Sequence, residues 1–457
     1  MQVPFALLLS GACALSLAVT AGCASDPPPD KYAANGGSSA AGNSAAGNSM
    51  AASGNGAAGN TNTPKAGTGA AGTTATGNAG STAGTTPDSG TTANAGTGTA
   101  GTTAPMPPKA APGYLVTQGA KLYDSQGREV RIAGVSWFGL ESGNYAPFGL
   151  SNRTLEQLLD QVVAFGFNTV RLPFCNQLFD SASHPNVDQS RNPSLAGLNG
   201  LQLIDAIVKA AHARGLKIIL DRHRPDANAQ SDLWYTSQYS EQRWIDDWKM
   251  LATHFKDDPT VFAVDLHNEP KGEATWGDGN MMTDWKAAAE RAGNAILAIN
   301  PNLLIIVEGI EKIGNDYYWW GGQLAAAGDK PVKLDVENRL VYSAHDYPAS
   351  LYPQPWFMAA DYPASLTKVW TDHWGYLADK NIAPVFVGEF GTKLETESDK
   401  QWLHALATYI GERGISFAYW SLNPNSNDTG GLLKDDWTTP QAAKLEELKP
   451  IMAPLIE

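Results

Sequence analysis

What most limits the fold of this chain is an alternation that repeats eight times. Short runs rich in valine, isoleucine, leucine and aromatic residues are VRIAGVSWFG (130–139), NTVRLPF (168–174), LKIILDRH (216–223), VFAVDLHNEP (261–270), LLIIVEG (303–309), RLVYSAHDY (339–347), APVFVGEFG (383–391) and SFAYWSLN (416–423). Amphipathic helical patterns lie between them. Thr154-Leu-Glu-Gln157 is a capping-box pattern; Leu155, Leu158, Leu159, Val162 and Val163 then share one face, and Gly166 stands where a left-handed cap ends the helix. Leu201, Ile204, Ile207, Val208 and Ala211 form a second stripe closed by Gly215, with further amphipathic stretches at 241–256, 283–299, 364–379, 399–411 and 440–453. Strands that are apolar throughout are buried on both faces, as in a parallel sheet covered by helices. Eight of them predict an α/β fold, a (β/α)8 TIM barrel. The competing architecture is an open doubly wound sheet, which usually advertises a glycine-rich phosphate turn after its first strand. GVSWFGLESG is not such a turn. A preliminary β-hairpin is expected in YLVTQG and AKLYDSQGREV, ahead of the first run.

The alternation starts only near residue 113, and composition changes there too. Residues 1–112 have no net charge and no tryptophan, so 113–457 hold all 14 tryptophans and the whole formal charge of −14. An acidic domain lacks the basic footprint that nucleic-acid binding requires. No apolar run of ~18 residues follows residue 30, which excludes a polytopic membrane protein. Residues 1–22 read as an export signal, because VPFALLLSGACALSLAVTAG ends in small residues just before Cys23. VTAGC resembles the lipobox of bacterial lipoproteins, which implies a lipid on Cys23. The resemblance places the protein at the cell surface or outer membrane, facing outside or the periplasm; the alternative is an ordinary cleaved signal and a secreted protein. Residues 23–112, rich in Gly, Ala, Thr and Ser, cannot bury enough apolar surface to offset chain entropy. They are expected to form a disordered linker, leaving 113–457 as a single catalytic domain. Cys175 is the one cysteine in that domain, so no intrachain disulfide is expected within it.

In a (β/α)8 barrel the C-terminal strand ends line the active site. Polar and aromatic residues finish nearly every apolar run: Trp137, Arg171, Asp221 and His223, His267-Asn268-Glu269, His345-Asp346-Tyr347, Glu389 and Trp420. Two carboxylates stand out, Glu269 after VFAVDLHN and Glu389 after APVFVG, on strands that lie across a barrel from one another. Glycoside hydrolysis needs such a pair, one to protonate the leaving oxygen and one to attack or to activate water. Arg171 can hold the attacking carboxylate ionised. Asn268 offers an amide donor to a sugar 2-hydroxyl. Trp420, with Trp137, Trp234 and Trp276, offers apolar faces the size of a pyranose ring. Asp221-x-His223 and His345-Asp346 also suit a metal, but a metallohydrolase barrel usually gathers several convergent histidines. The Asn/Asp-rich loop 423–428 is first of all a turn composition.

LHNEP (266–270), VGEFG (387–391), RLPF and DRHRPD (221–226), one per strand end, resemble the family-5 glycoside hydrolases, the cellulase family. GVSWFGLES, DLWYTS, AHDYP and WSLNPNSNDTGGLLKDDW are similar to its bacterial endo-1,4-β-glucanase branch. The resemblance covers essentially all of 113–457. It implies a (β/α)8 barrel, a retaining double displacement with Glu269 as acid/base and Glu389 as nucleophile, and no metal or organic cofactor. It implies an active-site set of Arg171, His223, Asn268, His345, Tyr347 and Trp420. Ser136 departs from the Asn often found in the first-strand motif, and Cys175 from a common Ser. The expected partner is a β-1,4-glucan, hydrolysed by a monomer whose only membrane contact is the lipid on Cys23. Mannan, xyloglucan and mixed-linkage glucan are alternative substrates for the same site. A non-catalytic surface glucan-binding protein is the alternative from another class.

Overall fold

The computed structural model describes residues 109–457, so the expectations for the signal, Cys23 and nearly all of the linker lie outside the described residues. Eight parallel strands close into a barrel: β1 Ala133–Ser136, β2 Thr169–Cys175, β3 Lys217–Arg224, β4 Val261–Asp265, β5 Leu304–Glu308, β6 Leu340–His345, β7 Val385–Glu389 and β8 Ser416–Tyr419. Each strand pairs with its sequence neighbour, and β8 pairs with β1. Every residue of β1 to β5, β7 and β8 is buried, which is why the runs are mainly apolar instead of alternating with exposed polar residues.

Helices cover the barrel where the stripes place them. They are α1 Leu155–Ala164, α2 Gly200–His212, α3 Glu241–His254, α4 Trp285–Leu297, α5 Leu366–Trp370, α6 Glu397–Arg413 and α7 Ala442–Leu448. The capping box of α1 forms, with Thr154 accepting from the N–H of Gln157 and Gln157 reaching back, and Gly166 takes φ +90° just past the helix. Leu155, Leu158, Leu159 and Val162 are its buried face. Burial contributes roughly 1.5–3 kcal/mol per side chain of this size. The 364–379 stretch is less regular than a single helix: α5 runs into a π-turn at Thr371–Gly375 and then a short helix at Tyr376–Asp379.

The alternation breaks once. Among the described residues, no helix links β5 to β6. That connection is instead an excursion over 309–339, with a two-stranded ribbon of Lys312–Ile313 and Asp316–Tyr317 followed by Trp319 and Trp320. At the opposite end of the barrel the expected hairpin forms and gains a third strand: Val116–Gln118, Lys121–Tyr123 and Glu129–Val130 lie antiparallel just before β1.

Candidate active site

The C-terminal strand ends bring a buried set of charged side chains together around Arg171. From β2 its guanidinium reaches Glu389 Oε1 at 2.6 Å, Asp265 Oδ2 at 3.0 Å, Asn268 Oδ1 at 2.9 Å, Glu308 Oε1 at 3.2 Å and Asp221 Oδ2 at 3.2 Å. One planar fork thus serves residues of β3, β4, β5 and β7. Burial pulls the guanidinium's pKa down, but Asp221, Asp265, Glu389 and Glu308 outweigh it and hold the charge firmly.

Glu389 is held by three elements. Arg171 donates to one oxygen, and the Tyr347 hydroxyl donates to the other at 2.7 Å. A β-bulge between Ala344 and His345 shifts the register so that His345 lies beside Glu389, and its Nδ1 is 3.7 Å from Glu389 Oε2. The same Nδ1 is 3.0 Å from Glu269 Oε1. Glu269 Oε2 accepts from Gln230 Nε2 at 3.3 Å, and Gln230 in turn accepts from Lys271, whose ammonium sits 3.7 Å over the Trp320 ring. His223 Nδ1 bonds Asp221 Oδ2 at 2.8 Å and lies 3.9 Å from Glu389 Oε1.

Five carboxyl groups share this buried space with one guanidinium and His345, so the site must retain protons at neutral pH. Burial pushes Glu308 up to about 8, Asp265 up to about 7 and Asp221 up to about 6. Burial also raises Glu389, against the pull of His345 and Arg171. For Glu269 burial works upward too, but the hydrogen bond from His345 and the charge behind it prevail, and its pKa is lowered. His345 opposes its own burial through Glu308, Glu389 and Glu269 and is driven well above an ordinary histidine. In the free protein the proton nearest Glu269 therefore rests on His345 Nδ1. Burial takes His223 the other way, to about 3, so that ring is neutral.

The expected residues Arg171, His223, Asn268, Glu269, His345, Tyr347 and Glu389 thus converge. Asn268 is oriented as its proposed task requires: its oxygen is taken by Arg171 and its buried Nδ2 has no protein partner. Trp420 stacks with Phe138 at 5.2 Å and with His223 at 5.3 Å, and is only 4% exposed.

Trp137 and Trp234 require correction. Both are 0% exposed and belong to the hydrophobic core, where their indole N–H groups bond Phe148 O and Glu241 Oε2. Having no open face, they support the wall and offer no sugar platform. Trp276 is likewise buried, bonded to Lys330 O.

Asp265, Glu308, Gln230 and Lys271 were not singled out from the sequence. Glu308 carried the same signal as Glu389, a lone carboxylate ending an apolar run, in LLIIVEG. Nothing local marks Gln230 or Lys271.

Two subsets bring three potential metal-ligand atoms within 4.8 Å of one another: Asp221, His223 and Glu389, and Glu269, His345 and Glu389.

Comparison with known proteins identifies the family. The family model for cellulase (glycosyl hydrolase family 5) matches residues 123–426. The chain is 53% identical over 350 residues to an endoglucanase of Paenibacillus polymyxa, covering 75% of this chain and 88% of that protein. It is 39% identical over 346 residues to the major extracellular endoglucanase of Xanthomonas campestris pv. campestris, covering 74% of this chain and 71% of the relative. The solved catalytic domain of the Xanthomonas enzyme superposes with a TM-score of 0.71, over 74% of this chain and 99% of that one. A cellotetraose complex of an endocellulase from Pyrococcus horikoshii, 38% identical, also gives 0.71, over 75% and 100%. With a closed eight-stranded barrel and carboxylates gathered at its mouth, the chain belongs to glycosyl hydrolase family 5, the cellulase family, and is a glycoside hydrolase of that kind.

Proposed function

We propose that this enzyme is a retaining endo-1,4-β-glucanase, with Glu389 as nucleophile and Glu269 as acid/base. The observation that carries the reading is that an oxygen of Glu269 and an oxygen of Glu389 lie within 4.8 Å of each other. Retaining glycosidases hold their carboxyl groups about 5–5.5 Å apart, whereas inverting ones leave about 6.5–9.5 Å for a water. Glu389 attacks the anomeric carbon as the glycosidic C–O bond breaks. The bonding pair leaves with the departing oxygen, which takes from Glu269 the proton that His345 Nδ1 has first passed to it, so that Glu269 ends the step as a carboxylate. Water then gives a proton to Glu269, attacks the same carbon and frees Glu389. Asn268 Nδ2 donates to the sugar 2-hydroxyl, and Arg171 and Tyr347 hold the nucleophile on line.

The endoglucanase names of the relatives favour β-1,4-glucan as substrate, and the name of the Xanthomonas relative favours export. The enzyme works as a monomer without metal or organic cofactor, at the cell surface, tethered by a lipid on Cys23 through the linker 23–112. Proton NMR of fresh cello-oligosaccharide product will show the β-anomer first; initial α-anomer refutes retention. Reducing-sugar release, measured side by side, will be greatest on carboxymethylcellulose. Greater release on mannan, xyloglucan or mixed-linkage glucan reassigns the substrate, and release on none leaves a glucan-binding protein. Radioactive fatty acid will label the wild type and not Cys23→Ser; an unlabelled wild type removes the tether.

A further inference from the structure

We propose that Glu308, the last residue of β5, is a positioning residue for the reaction: it aims Glu269 through that residue's own N–H and balances the His345 imidazole from its second nitrogen. The inference rests on the reading of Glu269 as acid/base.

Glu308 is fully buried and has three partners. Its Oε2 accepts from the Glu269 backbone N–H at 2.7 Å. Its Oε1 lies 3.2 Å from Arg171 and 3.3 Å from His345 Nε2, the latter an ion-pair distance without hydrogen-bond alignment. Glu269 has φ +53°, a left-handed conformation that a non-glycine residue holds only when its surroundings fix it. The Glu308 carboxyl, bonded to that residue's N–H, supplies part of the fixing. Gly321, on the excursion that replaces a helix after β5, makes room for it. A Cβ there would lie 2.3 Å from Glu308 Oε2 and 3.2 Å from Glu269 Cα. The same imidazole therefore stands between two carboxyl groups, Glu269 on Nδ1 and Glu308 on Nε2.

The groups facing this pair come from every surrounding strand. Glu308 faces Arg171 on β2, Asp265 on β4, Glu269 beyond β4 and His345 on β6. His345 also faces Glu389 on β7 and feels Asp221 on β3. As pH rises through about 8 and Glu308 ionises, its negative charge strengthens the hold of the ring, and so of the Glu269–His345 pair, on the proton needed by the leaving group.

The test is the pH profile of kcat/KM for Glu308→Gln on a cello-oligosaccharide and on 2,4-dinitrophenyl β-cellobioside. Glutamine keeps a carbonyl acceptor for the Glu269 N–H but never ionises. On the oligosaccharide the alkaline limb should move to lower pH by about one unit. On the dinitrophenyl glycoside, whose leaving group needs no proton, the loss in kcat/KM should be smaller than on the oligosaccharide and its alkaline limb should not move. An unmoved alkaline limb in a variant that folds normally overturns the proposal. Glu269→Ala, run in parallel, should lose far more on the oligosaccharide; equal losses on both substrates overturn the acid/base reading instead. If Glu308→Gln does not fold, nitrogen-15 NMR of histidine-labelled wild type decides, with His345 assigned by His345→Asn. A doubly protonated ring above pH 7 supports the proposal, and a neutral ring at pH 7 overturns it.

Discussion

The two ends of the barrel are both rich in buried polar groups, and they use them in opposite ways. At the N-terminal end, polar side chains bond mainly to backbone. Asn168 accepts from the Ala133 N–H and donates to Arg131 O and Pro454 O, Arg131 donates to Ile451 O and Met452 O, and Lys217 donates to Gly113 O. At the C-terminal end the polar side chains bond mainly to one another, and several atoms have no partner, among them Asp221 Oδ1, Asp265 Oδ1 and Asn268 Nδ2. A donor paired with a backbone carbonyl settles the chain's own requirements. Carboxylates crowded round one guanidinium, with donors left over, are poised for something from outside. The floor of the barrel stabilises and the mouth reacts.

That contrast can be broken by substitution at either end. The largest effect is expected for Glu389→Gln, which keeps the shape and removes the nucleophile. Turnover of cellulose should fall on the order of 10⁴-fold or more with the melting temperature little changed; wild-type rates would remove Glu389 from the role. Arg171→Met comes next. It leaves Asp221, Asp265, Glu308 and Glu389 without their shared cation, a loss of roughly 3–5 kcal/mol in urea denaturation, together with activity. At the floor, Asn168→Ala strands the Ala133 N–H and should cost about 1–3 kcal/mol while kcat per folded molecule stays at the wild-type value. A fall in kcat there would mean the two ends are coupled.

The smallest effect is on pH dependence of stability. Asp221, Asp265 and Glu308 have folded pKa values raised to about 6, 7 and 8. The folded state binds their protons more tightly, so their stabilisation is complete below the ordinary carboxylate range and is lost as pH rises through those values. Glu308→Gln should flatten the decline in melting temperature between about pH 4.5 and 8. An unchanged slope would show that Glu308 does not carry the proton.

The same division explains what could be read in advance. The strand runs, the α1 and α2 stripes and the Thr154 capping box depend on neighbours within a few residues, and each forms as its local pattern requires. Glu269 and Glu389 were legible because a carboxylate ending a buried strand is conspicuous. Trp137 and Trp234 misled, because an indole looks alike on a core face and on an open one until packing covers it. Gln230 and Lys271 gave no sign, since their partners Glu269 and Trp320 come from other loops.

The sequence by itself determined the eight barrel strands, the hairpin ahead of them and the carboxylates ending β7 or standing just past β4, because these follow from local periodicity and apolar burial. Only the tertiary structure decided which of those groups meet. The bulge that sets His345 beside Glu389, the left-handed turn at Glu269 and the helix-free excursion bringing Gly321 against Glu308 each join distant segments of chain. The proton balance of the site is set there too, because charges interact through space in a buried cavity and not along the sequence.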